Sequence, residues 1–210
     1  MVQQSFGQIF ARSVVIVAVL SLAAAGPRDS SSGGKMLKLH DQGPRFSLQD
    51  ETGRNVTMDE LTGKIVVLEW FDPRNDYTRR DTKAGTNRTL AARYKDKGVI
   101  WLAVNSTRGS EVSANKRWVD DHKLAYRVLD DSRGSLAQSF GITTAPFYFI
   151  LDKNGRVVFE GSLDDDDNRS LDQGPKDGRI NFVDRALAQL TTGQQVDRPT
   201  PRVYGDPLNQ

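Results

Sequence analysis

The sequence predicts an α/β domain with one mixed central sheet flanked by helices. Three observations carry that expectation: a strand–helix–strand pattern between Ile65 and Val104, an Asn-Gly hairpin between Phe147 and Glu160, and a closing amphipathic helix from about Phe182 to Leu190. Strand, helix and strand in that order form a right-handed unit with parallel pairing, whereas a tight hairpin is antiparallel. The sheet is therefore expected to be parallel first and antiparallel last.

Taken in order, Phe46-Ser47-Leu48 alternates, residues 50–53 carry turn chemistry and the pattern returns over residues 55–58, which suggests a small hairpin. Asp59-Glu60-Leu61 reads as a short helical turn ended by Gly63. Ile65-Val66-Val67-Leu68 is an unbroken apolar run, which suits a strand covered on both faces and marks the sheet centre. Leu90, Ala91 and Tyr94 recur at helical spacing up to Gly98, and Val99 to Val104 is a second buried strand. A further helix is expected from about Glu111 to His122, with Ser110 as its N-cap and Ala114 and Trp118 on one face. Tyr126 to Leu129 reads as a short strand, and Leu136, Ala137 and Phe140 as a brief helix stopped by Gly141. Phe147 to Leu151, the turn Asp152 to Gly155 and Arg156 to Glu160 make the hairpin. Phe182, Val183, Ala186, Leu187 and Leu190 then share one helical face that can cover the sheet.

Composition narrows the chemistry. The 210 residues include 29 Lys+Arg, 27 Asp+Glu and no cysteine. The missing sulfur excludes disulfides, thiolate nucleophiles and Cys-ligated zinc or iron–sulfur clusters. A net charge of +2 without a basic-aromatic surface argues against a nucleic-acid partner. The two histidines, His40 and His122, lie far apart, so neither a multi-histidine metal site nor a Ser-His-Asp triad is expected, and no cofactor is called for. His40 is expected to be exposed, His122 to serve a helix end, and Trp70 and Trp101 to pack in the core. Four Asn-x-Ser/Thr matches, at Asn55, Asn87, Asn105 and Asn168, matter only in a eukaryotic secretory pathway.

Ser13 to Ala25 is an apolar run of 13 residues behind Arg12 and ends in Ala23-Ala24-Ala25, so residues 1–25 read as a secretory signal peptide. Crossing a bilayer takes roughly 20 apolar residues, so no stable membrane span is expected after leader removal. An uncleaved N-terminal anchor or a buried N-terminal helix are the alternatives. Residues 26–39 read as a flexible linker, 40–192 as the folded domain and 193–210 as a C-terminal tail, which makes the expected destination the periplasm, the cell envelope or the exterior.

A loop ending in Thr143-Thr144-Ala145-Pro146 stands directly before the hairpin, and the whole layout resembles the thioredoxin fold. Gly43 to Leu48, Gly63 to Phe71, Tyr94 to Asn105, Val128 to Asp131, and Thr144 to Phe149 with Asp152 to Gly155 resemble one branch in particular. That branch is the redoxin, or alkyl hydroperoxide reductase/thiol-specific antioxidant (peroxiredoxin-like), family, many of whose members are exported from bacteria. The resemblance covers roughly residues 40–205. It implies thiol peroxidase or thiol-disulfide oxidoreductase activity, and a cis bond at Pro146 facing the strand-to-helix corner that carries the redox cysteine.

At that corner the chain departs from the family. Relatives read Trp-Phe-x-Pro-x-Cys-Pro-Phe, and this chain reads Trp70-Phe71-Asp72-Pro73-Arg74-Asn75-Asp76-Tyr77-Thr78. Asn75 stands in place of the attacking cysteine and Thr78 in place of the second cysteine of Cys-x-x-Cys, while Asp206 follows Tyr204-Gly205 where some relatives have a further cysteine. A carboxamide does not ionise, and a hydroxyl without an adjacent base is a poor nucleophile, so the family's thiol chemistry is unavailable. No catalytic residue is assigned.

The resemblance further implies that Ala145 offers its main-chain groups to an extended peptide, a form of strand addition. Pro73, Asn75, Thr78, Ala145 and Pro146 are thus the candidate binding corner, for an extended peptide or a partner protein. An anion held at the helix N-terminus with Arg74, Arg79 and Arg80 is one use of the corner; the alternative is three solvated arginines with Asn75 as a plain helix cap. The expected function is an exported, non-catalytic binding or accessory module. The alternative is an oxidoreductase-type or other enzyme using non-thiol chemistry, with Asp72, Asp76 or Asp81 acting with a metal. Asp164 to Asp167 reads as a solvated acidic turn, since it lacks the ligand spacing of a calcium loop, and residues 168–178 as a slack polar loop.

Overall fold

The structure is a computed structural model that describes Met1 and residues 35–208. The expected leader, beyond Met1, and residues 26–34 of the expected linker lie outside the described residues. The strands are β1 (Ser47–Gln49), β2 (Asn55–Thr57), β3 (Ile65–Phe71), β4 (Val99–Asn105), β5 (Arg127–Asp130), β6 (Thr144–Ala145), β7 (Phe147–Leu151), β8 (Val157–Gly161) and β9 (Asp206–Pro207). The helices are α1 (Asp76–Ala84), α2 (Thr86–Lys95), α3 (Val112–His122), α4 (Ser135–Phe140) and α5 (Phe182–Thr191). Among the described residues, no helix is long and apolar enough to cross a membrane.

The central sheet has the order β5-β4-β3-β7-β8, with β3, β4 and β5 parallel and β7 and β8 antiparallel to their neighbours. The mixed sheet expected from the sequence is thus present, and the continuous apolar run does mark its centre. All seven residues of β3 are buried, because helices cover both faces. Val66, Leu68 and Trp70 face a cluster with Leu102, Val104, Phe147, Phe149 and Phe140 of α4. Ile65 and Val67 face the other side, against Trp101, Tyr148, Ile150, α2 and α5. Side chains alternate along a strand, so Glu69 is carried into this second face.

Three local features differ from expectation. The N-cap of α3 is Glu111; Ser110 instead places its hydroxyl 3.4 Å from an Asp130 carboxylate oxygen. The single helix suggested by Leu90 to Tyr94 is preceded by α1, and Gly85 at φ 69° separates the two. Of the acidic run, only Asp165 and Asp167 are exposed; Asp164 and Asp166 are buried, the inward positions of a period of two. At the start of the described chain, Leu37 and Leu39 pack against the first core cluster, and the Leu37 N–H donates to the Phe140 carbonyl at 3.1 Å.

Candidate functional site

The corner forms where β3 ends on the sheet's carboxyl edge. Asp72 accepts from the Arg74 main-chain N–H at 2.9 Å and from its guanidinium at 3.1 and 3.0 Å, which closes the turn that carries Pro73 on the rim. The next residue, Asn75, is 6% exposed and caps α1, its Oδ1 accepting from the Thr78 N–H at 3.0 Å. That is the standard use of Asn at an N-cap. Its Nδ2 donates to the Ala145 carbonyl at 3.1 Å and to Asp206 Oδ2 at 2.9 Å. The Ala145–Pro146 bond is cis. The corner therefore brings Asn75, Thr78, Ala145 and Pro146 together, with Pro73 half-buried beside them. The Thr78 hydroxyl is buried and has no hydrogen-bond partner among the described residues.

The chain's own C-terminal segment lies across this corner. Strand β9 pairs antiparallel with β6, Thr144 opposite Pro207 and Ala145 opposite Asp206, and the Leu208 N–H donates to the Thr143 carbonyl at 2.9 Å. Gly205 crosses at φ 146°, where a Cβ would stand 2.5 Å from the Ala145 carbonyl oxygen. Asp206 is also held by the Arg169 guanidinium. Tyr204 is inserted beside the corner, its ring 4.9 Å from that of Tyr77.

Behind Tyr204 lies a buried ionic cluster that corrects the reading of the arginines. Arg74 and Arg79 are exposed, but the Arg80 side chain is fully buried. Its Nε donates to Asp81 Oδ1 at 2.9 Å and its Nη1 to the carbonyls of Asp166 and Asn168 at 2.8 and 2.5 Å. The Asp164 carboxylate stands 3.8 Å from Arg80, receives the Tyr204 hydroxyl at 2.7 Å and faces Arg179 at 2.7 Å. Arg80 is thus consumed internally and offers nothing to an outside anion. The loop 168–178, expected to be slack, is pinned at its start by Arg80 and again where the Lys176 main-chain N–H donates to Asp166 Oδ2 at 2.6 Å. Burial raises the Asp81 carboxyl to about 7, only partly offset by Arg80. Burial likewise raises Asp164.

The aspartates weighed as metal ligands do not converge. Asp72 is tied to Arg74, Asp76 lies 3.5 Å from Arg79 and Asp81 faces Arg80. Among the described residues no group of three or more His, Asp or Glu side chains is arranged to hold a metal ion. Glu69 is a buried carboxyl that the sequence reading passed over: its oxygens accept from Asn87 at 2.6 Å and from the Trp101 indole at 2.7 Å, and burial pushes it up to about 7. A Glu inside an otherwise apolar strand was the available signal. His40 is exposed, Trp70 and Trp101 are buried, and His122 closes α3 with its ring 4.0 Å from that of Trp118.

A family profile described as "AhpC/TSA family" matches residues 39–160. Chloroplastic peroxiredoxin Q of Gentiana triflora is 27% identical over 121 residues, covering 54% of this chain and 54% of that protein. The chain thus spans about half the length of the peroxiredoxin Q relative it matches. The thiol-disulfide oxidoreductase ResA of Bacillus thuringiensis is 25% identical over 124 residues, covering 59% of this chain and 69% of its own. Among solved structures, a hypothetical protein from Sinorhizobium meliloti 1021 superposes with a TM-score of 0.72 at 19% identity, covering 83% of this chain and 96% of that one.

Proposed function

Since the chain belongs to the AhpC/TSA family and has its thioredoxin-like fold but no cysteine, we propose that it is a redox-inert binding or accessory module. The observation that carries this reading is Asn75. At the corner where family chemistry needs a thiolate, it holds a non-ionising amide whose oxygen caps α1 and whose nitrogen bridges the Ala145 carbonyl and Asp206. Every atom of that side chain able to hydrogen-bond is engaged, so the residue maintains the shape of the corner and supplies no electron pair for peroxide or disulfide. What the corner retains is a main-chain edge at β6 suited to an extended segment.

The reading includes export to the cell envelope, supported by the apolar run and Ala23-Ala24-Ala25 of the sequence. Purified protein should show no hydroperoxide consumption and no insulin reduction, and should contain no stoichiometric metal. Hydroperoxide turnover abolished by a change at Asn75 would overturn the proposal. Sequencing of the mature N-terminus in the envelope fraction tests the leader, and an intact, membrane-bound N-terminus would favour the anchor instead.

A further inference from the structure

We propose that the carboxyl edge of β4 and β5 holds a separate binding site, in which Arg108 and Arg133 clamp a phosphate monoester whose organic part carries hydroxyl groups. The site shares no residue with the corner around Asn75 and goes beyond the function proposed for that corner.

The two arginines stand on similar turns. Thr107-Arg108-Gly109-Ser110 and Ser132-Arg133-Gly134-Ser135 repeat one pattern, a hydroxyl residue followed by Arg, Gly and Ser. Each follows the end of a parallel strand, and the residues three positions before the arginines, Asn105 and Asp130, are register partners across β4 and β5. Asn105 Oδ1 accepts from the Thr107 N–H at 3.1 Å, and Asp130 Oδ1 accepts from the Ser132 N–H, also at 3.1 Å. Gly109 and Gly134 then turn the chain at φ 71° and 68°. Neighbouring strands lie about 4.8 Å apart, so similar turns from paired residues carry the two arginines to adjacent places on one edge. Open α/β sheets bind ligands outside this edge.

Both arginines are exposed and line one cleft of about 500 Å³, with Ser132, Gly134 and Gln138. Neither guanidinium makes a hydrogen bond, ion pair or ring contact among the described residues, whereas the exposed Arg45, Arg54, Arg79 and Arg202 each pair with a carboxylate. The carboxylates of the second loop are engaged. Asp131 is buried and accepts from the Ser106 hydroxyl and from the Leu136 and Ala137 N–H groups, while Asp130 holds the Ser132 turn. The cleft therefore presents two unpaired positive charges. A guanidinium fork takes phosphoryl oxygens in pairs, and a phosphate monoester carries nearly two negative charges at neutral pH, against one for a carboxylate.

Ser132 and Arg133 also line an adjoining cleft of about 380 Å³. Its wall includes the Asp130 carboxylate and Ser47, Gln49 and Asn55 of the β1–β2 hairpin, whose three side chains have no partner among the described residues. Hydroxyl, amide and carboxylate groups together both donate to and accept from the hydroxyls of a sugar or polyol. No aromatic ring among the described residues lines either cleft, so neither offers a stacking platform for a nucleobase.

The test is calorimetric titration of the full chain at low salt with glucose-6-phosphate, inorganic phosphate, glucose and AMP. The sugar phosphate should bind with a Kd of about 1 mM or tighter, inorganic phosphate and AMP more weakly, and glucose not at all. Arg108→Gln and Arg133→Gln should each weaken the sugar phosphate about tenfold or more. Arg117→Gln removes another exposed, unpartnered charge outside both clefts and should leave its affinity unchanged. Asn55→Ala should weaken the sugar phosphate and spare inorganic phosphate. All four side chains are exposed, so the variants should keep the parent's melting temperature. Equal losses in the three arginine variants would mean diffuse surface charge and overturn the proposal, as would the absence of binding by both phosphate compounds. Inorganic phosphate binding as tightly as the sugar phosphate, or AMP binding more tightly, would overturn the assignment of a hydroxyl-bearing organic part.

Discussion

Asn75 and Glu69 show how much one side chain can decide. Asn75 is a residue type favoured at helix N-termini, and its second role, bridging Ala145 and Asp206, comes from being buried between them. Glu69 is the only charged residue within β3, and it lies on the covered face with Trp101 and Tyr148. Burial lifts its carboxyl from an ordinary value of 4.5 to about 7, against the opposing help of its Trp101 and Asn87 hydrogen bonds. The folded state therefore keeps a proton that the unfolded chain releases. Its contribution is full below pH 4.5 and is lost as the pH rises toward 7. Glu69→Gln removes that loss. Urea unfolding should show the variant more stable by about 1–3 kcal/mol at pH 8 and nearly equal to the parent near pH 4.5. The same difference at both pH values would show that the carboxyl does not hold its proton.

At the scale of elements, α1 is joined to the rest of the domain through Arg80. Its guanidinium, paired within the helix with Asp81, ties α1 to the carbonyls of residues 166 and 168, and through Asp164 to Tyr204 of the segment that crosses the corner. The rings of Tyr77 and Tyr204 flank it at 5.8 and 5.9 Å. Removing one partner of a buried ion cluster leaves the others uncompensated. Arg80→Met is therefore expected to cost about 3–5 kcal/mol by urea denaturation. Arg80→Lys should recover only part, because an ammonium cannot reach Asp81 and two carbonyls in one plane. A loss under about 1 kcal/mol for the methionine variant would mean that the cluster does not join these elements.

Across the whole described domain, stability should be graded from the sheet centre outward. Val67 and Leu68 of β3 and the facing residues of β4 and β7 are 0–4% exposed, while β6 and β9 form an outlying pair with Pro207 in solvent. Native-state hydrogen exchange should find the slowest amides in β3, β4 and β7 and a Leu208 amide that opens locally with little dependence on denaturant. A Leu208 amide as slow as that of Val67 would place the crossing segment within the global unfolding unit. At this scale the sequence by itself determined the strand order's raw material: the apolar runs, the hairpin turn, the closing helix and the absence of sulfur. These are local or compositional properties, readable from period and residue type. It also set Pro146 before the hairpin and offered a helix cap as one of two roles for Asn75. Only the tertiary structure decided that Arg80, Asp164 and Asp166 are buried, that the segment from Tyr204 to Leu208 returns to the corner, and that Glu69 lies among aromatic rings. Those outcomes depend on residues 32 to 131 positions apart in the chain meeting in space, and a charged side chain looks the same in sequence whether water or a distant counter-charge surrounds it.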